Sequence, residues 1–557
     1  MRVSVDEEVA ARVERSAVAI RERGDGAGAV AALIRAAELS PAARDRARRL
    51  ADAAYVAAEV TGDLRGAEAL LDDARLAGAR RDAPAAIAIA ASFVLLAGEG
   101  DAVAAGARLQ TAIETAGDRG IGPVTAECAV QTAVLASCFG GRPELCESLD
   151  PHLRWLAPAR WPRQRAGAAL ASDPARSASA ALRRLDQDID SLTLSLDPAE
   201  IVEVASASIF TDRLSGCRPA LRRVARDEPG SGATAVITAT TLLAHEAYQA
   251  GQWSEAERLA RAAAVLAEAR GYGLLRANAR AVSALLAAGQ GDTERTQALA
   301  DELAVWAAPR GVRLLLGAAR HACALAALAR SDFEAAYRHA TAISPAGRLP
   351  SHAPHALWVM LDLVEAALRT GRPGEAAAHV RAIQAAGVAT ISPRLELLAG
   401  AAAAAIAPEE QGPGLFERAL GTRDAERWPF DLARVQLLYG EQLRRTRCLA
   451  QSRGHLAAAH DAFRRLGAAT WAERAARELR ASGRTRIRSA QKYFDDLTPQ
   501  ELQIALLAAT GLSNKEIGSR LYLSHRTVGA HLYRIFPKLG ITSRAALRDA
   551  LPAQAAL

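Results

Sequence analysis

Gly251-Gln252-Trp253-Ser254-Glu255-Ala256, Gly291-Asp292-Thr293-Glu294, Ser331-Asp332-Phe333-Glu334-Ala335 and Gly371-Arg372-Pro373-Gly374-Glu375-Ala376 begin 40 residues apart. Gly62-Asp63-Leu64-Arg65-Gly66-Ala67 repeats the pattern, and weaker copies stand at Gly100-Asp101, Gly141-Arg142-Pro143, Thr211-Asp212-Arg213 and near Gln411. Every copy lies between two Ala/Leu-rich amphipathic stretches, so each period is one helical hairpin. A lone hairpin cannot bury its apolar stripe, whereas stacked hairpins share a continuous core, and the spacing therefore predicts an α-solenoid.

Composition agrees. Of the 557 residues, 50% are hydrophobic, 24% charged and 4% aromatic, which disfavours strand-rich folds because these draw on β-branched and aromatic side chains. Alanine runs such as Ala401 to Ala405 let paired helices approach closely. Trp253, Trp306, Trp358 and Trp471 read as packing residues between hairpins. His352 and His355 read as a loop residue and a helix start, with no metal site. The period suits tetratricopeptide-like repeats, although 40 exceeds their usual length of about 34 and also suits longer HEAT-type hairpins.

Chemistry is sparse. Lys492, Lys515 and Lys538 are the only lysines, so residues 1 to 491 cannot supply the ammonium of a phosphate-binding P-loop. Gly24-Asp25-Gly26-Ala27-Gly28 follows a helical pattern and reads as a helix break. No G-x-S-x-G elbow, no H-E-x-x-H and no paired reactive cysteine occurs, and an enzyme is not expected. The six cysteines lack any CxxC pair, which suits a reducing cytoplasm, and Cys128, Cys138 and Cys146 read as buried structural thiols. The acidic start at Asp6-Glu7-Glu8 is unlike a signal peptide, and no apolar run reaches membrane length. No cofactor is expected.

The formal charge of +7 is unevenly spread: from Arg484 onward eleven bases face five acids, leaving a net of +6 in the last 74 residues. Such asymmetry points to a polyanion, and double-stranded DNA is the first candidate. The repeats continue to a final helix ending near Arg480, which assigns 1–483 to the solenoid, 484–496 to a basic linker and 497–557 to a C-terminal domain of four short helices. Thr498-Pro499-Gln500-Glu501 and Ser513-Asn514-Lys515-Glu516 are capping boxes, and Gly511 and Gly540 are stops. Ser524 caps the third helix, in which Val528, Leu532 and Ile535 form the buried side while Arg526, Gly529, Ala530 and Tyr533 share another face. Pro537 is expected to kink or shorten its last turn. The last helix is expected to start near Thr542-Ser543 and to carry Leu547 and Leu551.

Leu497-Thr498-Pro499-x-Glu501, Gly511-Leu512-Ser513-Asn514-Lys515-Glu516-Ile517, Leu523-Ser524-x-Arg526-Thr527-Val528, His531-Leu532 and Lys538-Leu539-Gly540-Ile541 together resemble the LuxR-type DNA-binding domain over about 60 residues. The repeats are similar, more loosely, to those of the large ATP-binding LuxR-type regulators of actinobacteria. That resemblance implies a helix-turn-helix transcription regulator lacking the NTPase module its larger relatives carry, the alternative being a start codon assigned too late. It also implies a homodimer on DNA, arranged through the fourth helix. In the family's docking mode Ser513, Asn514 and Lys515 meet a phosphate at a helix N-terminus. Ser524, His525, Arg526 and Thr527 open the recognition helix, Arg526 gripping phosphate or guanine. Ala530 and Tyr533 face the groove, and Arg534 and Lys538 the neighbouring backbone. Gly529 stands where the family often has a basic residue, which predicts modest specificity for one domain. A protein, peptide or small-molecule signal on the repeats is expected, with RNA polymerase as a further candidate partner. The competing reading is an interaction scaffold whose C-terminal domain does not bind DNA.

Overall fold

A computed structural model describes residues 6–78, 85–116, 121–177, 179–226, 232–483, 497–539, 541, 543, 544 and 547. The expected linker at 484–496 lies outside the described residues. The chain divides into two compact units, Met1–Glu478 and Leu479–Leu557. Both are helical, with no strand among the described residues, and no helix there is long and apolar enough to cross a membrane.

The larger unit is a solenoid of antiparallel hairpins. Ala233–Gln249 pairs with Trp253–Ala269, Gly273–Gln290 with Thr293–Ala307, and Arg313–Ala329 with Phe333–Thr341. The repeated turn has a simple cause. Its first residue, at Gly251, Gly291, Ser331 and Gly371, is left-handed, with φ of 75°, 84°, 65° and 76°. Where an aspartate follows, as it also does after the left-handed Gly62, it caps the next helix: Asp63 accepts from the Gly66 amide at 2.8 Å, Asp292 from that of Arg295 at 3.0 Å, and Asp332 from that of Ala335 at 3.1 Å. Ser331 is thus a serine in a glycine position. Ser331→Gly should raise the unfolding free energy by about 1 kcal/mol, and Gly371→Ala, whose new Cβ meets nothing within 4 Å, should lower it by a similar amount. Denaturant titration of the two variants checks the pair.

At Thr211-Asp212-Arg213 the copy departs from the rule. Asp212 itself is left-handed, at φ 57°, and its carboxylate accepts from Ser392 Oγ at 2.6 Å and Arg394 Nη1 at 3.3 Å, some 180 residues along the chain. Similar bonds recur along the unit. Arg270 Nη1 donates to the Thr61 carbonyl at 2.7 Å, the Ala102 amide to the Arg310 carbonyl at 3.1 Å, Arg176 Nη2 to the Leu349 carbonyl at 2.6 Å, and Thr470 Oγ1 to the Gly291 carbonyl at 3.2 Å. The partners are 209, 208, 173 and 179 residues apart. The hairpins therefore wind into a superhelix that meets its own next turn after four to five repeats.

Buried arginines hold successive hairpins together. Arg394 pairs with Asp431 at 2.6 Å, Arg434 with Asp362, and Arg474 with Glu365 at 2.5 Å and Glu441 at 2.9 Å, each guanidinium at most 6% exposed. Trp253, Trp358 and Trp471 are buried, and Trp306 packs on the turn at Gly100 under the Arg310 guanidinium. His352 sits in a loop with Nδ1 3.1 Å from Ser172 Oγ, and His355 opens the short helix His355–Trp358. Burial pushes the Cys138 thiol up to about 12 and raises those of Cys128 and Cys146, so all three stay protonated.

Candidate nucleic-acid interface

Three helices carry the site: Pro499–Ala509, Asn514–Leu521 and His525–Leu539. Each begins where its cap dictates. Thr498 Oγ1 accepts from the Glu501 amide at 3.3 Å while Glu501 Oε2 takes the Thr498 amide at 2.9 Å; Ser513 and Glu516 repeat the exchange at 3.3 and 2.6 Å. Ser524 Oγ takes the Thr527 amide at 3.1 Å. These reciprocal bonds satisfy amide donors that a helix start leaves free.

The core is Leu497, Ile504, Ala505, Ala508, Ile517, Val528, Leu532, Ile535, Leu539 and Leu547, which places the expected apolar side of the third helix inward. Gly540, Thr542 and Leu551 lie outside the described residues, as does most of the expected fourth helix. The third helix runs through Pro537 to Leu539.

A tight turn joins the second and third helices. Tyr522 is left-handed at φ 55°, the Leu523 amide donates to the Gly518 carbonyl at 2.9 Å, and the Tyr522 side chain stands 97% exposed. An exposed aromatic at the apex of this turn is a candidate contact that sequence reasoning passed over. A left-handed, non-glycine turn residue leaves no sequence signal beyond its place between two caps.

The expected site residues fall into two groups. Ser513, Lys515, Ser524, His525, Arg526, Ala530, Tyr533 and Arg534 are exposed, with Tyr533 at 81%. Thr527 and Gly529 are half-buried, and a Cβ on Gly529 would stand 3.5 Å from Asn514 Nδ2, where the second and third helices meet. Asn514 and Lys538 are half-buried as well and are engaged within the domain. Asn514 Oδ1 accepts from Arg544 Nη1 at 2.5 Å, and Arg544 also donates to the Leu512 carbonyl, so this arginine brings a positive charge to the start of the second helix. Lys538 Nζ lies 2.6 Å from Glu501 Oε2 and fastens the third helix to the first. That ammonium, with the Thr498 amide, holds the Glu501 carboxyl below the ordinary glutamate range; the Ser513 hydroxyl and amide do the same for Glu516. His531 is half-buried, its Nδ1 without a partner among the described residues. Arg526 and Arg534 on the third helix and Lys515 and Arg520 on the second are thus exposed cations on neighbouring elements, with the two exposed tyrosines in the turn and on the third helix. Exposed cations and exposed planar rings, on two short helices joined by a tight turn, suit a polyanionic duplex.

Residues 495–550 match the model of the bacterial regulatory proteins of the luxR family. A protein of Mycobacterium tuberculosis named as an HTH-type transcriptional regulator is 42% identical over 67 residues, covering 12% of this chain and 8% of that protein. The response regulator GacA of Pseudomonas aeruginosa is 48% identical over 50 residues, 9% of this chain and 23% of its own. The response regulator VraR of Staphylococcus aureus is 34% identical over 67 residues, 12% and 32% respectively. The chain therefore matches these curated relatives over a small fraction of their length.

Proposed function

From a C-terminal segment that is a LuxR-family helix-turn-helix domain, we propose that the whole chain regulates transcription by binding DNA. The third helix, His525–Leu539, enters the major groove with Ala530 and Tyr533 toward the bases. Ser513 and Lys515 meet phosphate at the start of the second helix, and Arg526 grips phosphate or guanine at the start of the third. Ser524, His525, Thr527, Gly529 and Arg534 complete the contact surface, while Asn514 and Lys538 act through their bonds to Arg544 and Glu501. The domain acts as a homodimer over paired half-sites, because Gly529 offers no long side chain to the groove. Residues 1–483 receive the signal that sets DNA binding, through a protein or small-molecule ligand.

The single observation that carries this reading is the exposed Arg526 on a helix whose opposite side is buried in the domain core. On a duplex recovered by genomic footprinting of the tagged protein, Arg526→Ala should cost about 1–3 kcal/mol of affinity. Arg295→Ala, on the solenoid, should change it little. Each phosphate neutralised adds about −0.9 to the log–log salt slope, so a dimer touching about eight should lose affinity steeply with salt. Equal effects of the two arginine variants would contradict the assignment, as would full-affinity occupancy of one isolated half-site by a monomer.

A further inference from the structure

The superhelix holds a partly open cavity of about 230 Å³. The helices Ala85–Gly98, Pro123–Gly140, Trp161–Ser172 and Pro198–Ala207 line one part of it, and Ala233–Gln249 and Gly273–Gln290 another. Most of the wall is apolar, including Phe93, Val134, Phe139, Val202, Phe210 and Leu275. Cavities of about 150 Å³ already hold benzene, so this one has room for a fused bicyclic ring.

The polar part of the wall mixes donors and acceptors, with Gln131 and Asn278 beside Glu59, Gln164 and Glu203. Gln164 is 8% exposed; its Nε2 donates to Glu203 Oε2 at 3.1 Å, and its Oε1 is buried with no partner among the described residues. Glu203 can only accept when ionised, so the amide turns its NH₂ toward that carboxylate and leaves its oxygen unpaired, out of water's reach until the side chain turns. A buried acceptor without a donor is costly, and a ligand that supplies one relieves it. Glu203 and Glu59 also line the cavity. Among the described residues the lining holds one guanidinium, that of Arg160, and Glu127 holds it at 3.3 Å.

We propose that this cavity is the ligand site of the solenoid, and that it takes a compact, mostly apolar molecule whose hydroxyl or ammonium group donates to Gln164 Oε1 beside Glu203. The inference rests on the reading that the repeats receive a signal, and it assigns that signal a place and a chemistry. Burial raises both carboxyls, Glu59 to about 7 with Glu127 adding to the push, so the polar side carries less negative charge than two free carboxylates would. An anion gains nothing there, because Arg160 already has its partner.

Four probes of one shape test it on the intact protein by fluorescence titration: 2-naphthol, 2-naphthylmethylamine, 2-methylnaphthalene and 2-naphthoate. At least one donor probe should bind roughly tenfold more tightly than 2-methylnaphthalene, and the stronger of the two shows whether the natural ligand is an alcohol or an amine. Gln164→Met should bring that preference to about one while leaving 2-methylnaphthalene within about twofold of its original affinity. Val134→Phe, which fills the apolar part, should weaken every probe. Binding by no probe overturns the inference, and so does 2-methylnaphthalene or 2-naphthoate binding as tightly as both donors. A gel shift on the same preparation keeps the two readings apart. Protein that shifts DNA but takes no probe defeats the cavity alone, whereas protein that takes the donor probes but shifts no DNA upholds the cavity and defeats the regulator.

Discussion

Arg474→Met should destabilise the solenoid by about 3–5 kcal/mol, the usual cost of removing one partner from a buried ion pair. The guanidinium is 3% exposed and donates through Nη2 to Glu365 at 2.5 Å, through Nε to Glu441 at 3.0 Å and through Nη1 to the Leu328 carbonyl at 3.1 Å. Its loss strands the Glu365 carboxylate, 5% exposed, and leaves that of Glu441, 2% exposed, to Arg369 alone. The deficit should also depend on pH in a definite direction. Burial pushes the Glu365 carboxyl up, but Arg474, Arg369 and Arg434 outweigh it and hold the group below its ordinary range. A depressed carboxyl stabilises the fold above its unfolded value and loses that contribution as pH falls. Without Arg474 burial prevails, the carboxyl rises, and protonation relieves the variant on acidification. The gap between variant and parent should therefore be widest near pH 8 and narrow toward pH 5 in urea titrations. Arg477→Met, on the exposed side of the same helix, should change little at either pH. A gap that is constant across this range would mean that Glu365 is not the group left stranded.

Gly518→Val should abolish DNA binding while leaving the solenoid folded. An added Cβ at Gly518 would stand 2.6 Å from the Leu523 carbonyl oxygen, which is backbone and cannot swing aside. The second helix and its turn would have to part, breaking the Leu523 amide bond to the Gly518 carbonyl and moving Ile517 in the core. Overpacking of this kind costs about 1–3 kcal/mol. A core of about 60 residues seldom supplies more than about 3–5 kcal/mol, so most of the stability of this small domain is at stake. The expected result is loss of the gel shift, rapid proteolysis after residue 483 and unchanged far-ultraviolet ellipticity from the larger unit. Gly518→Ala, with no branched carbon, should retain partial binding. A valine variant that shifts the duplex at the parent concentration would show that the turn is looser than the 2.6 Å approach implies.

The hairpins were legible because their punctuation is local. A left-handed residue followed by a capping aspartate, at Gly291-Asp292 and Ser331-Asp332, needs nothing beyond one turn of chain to be recognised. The capping boxes at Thr498 and Ser513 and the Val528, Leu532, Ile535 stripe were visible for the same reason. What stayed hidden depends on partners far along the chain. Asp212 reads as a turn aspartate until Ser392 and Arg394 are brought to it. Arg394, Arg434 and Arg474 look like any other surface arginine in an arginine-rich sequence until they are found buried. In the candidate interface, the exposure of Tyr522 and the reach of Arg544 to Asn514 follow from how helices cross, which spacing alone does not encode.

The bonds between successive windings set a rule for how this protein can change length. In an open array each unit touches only its neighbours, so a unit can be gained or lost with local consequences. Here Thr61 answers to Arg270, Arg310 to Ala102 and Gly291 to Thr470, and deleting a single hairpin between any such pair would misalign every stitch that spans the gap. The seam makes the ends of the spiral interdependent, so domain-swapped or shortened forms must keep whole windings to stay closed.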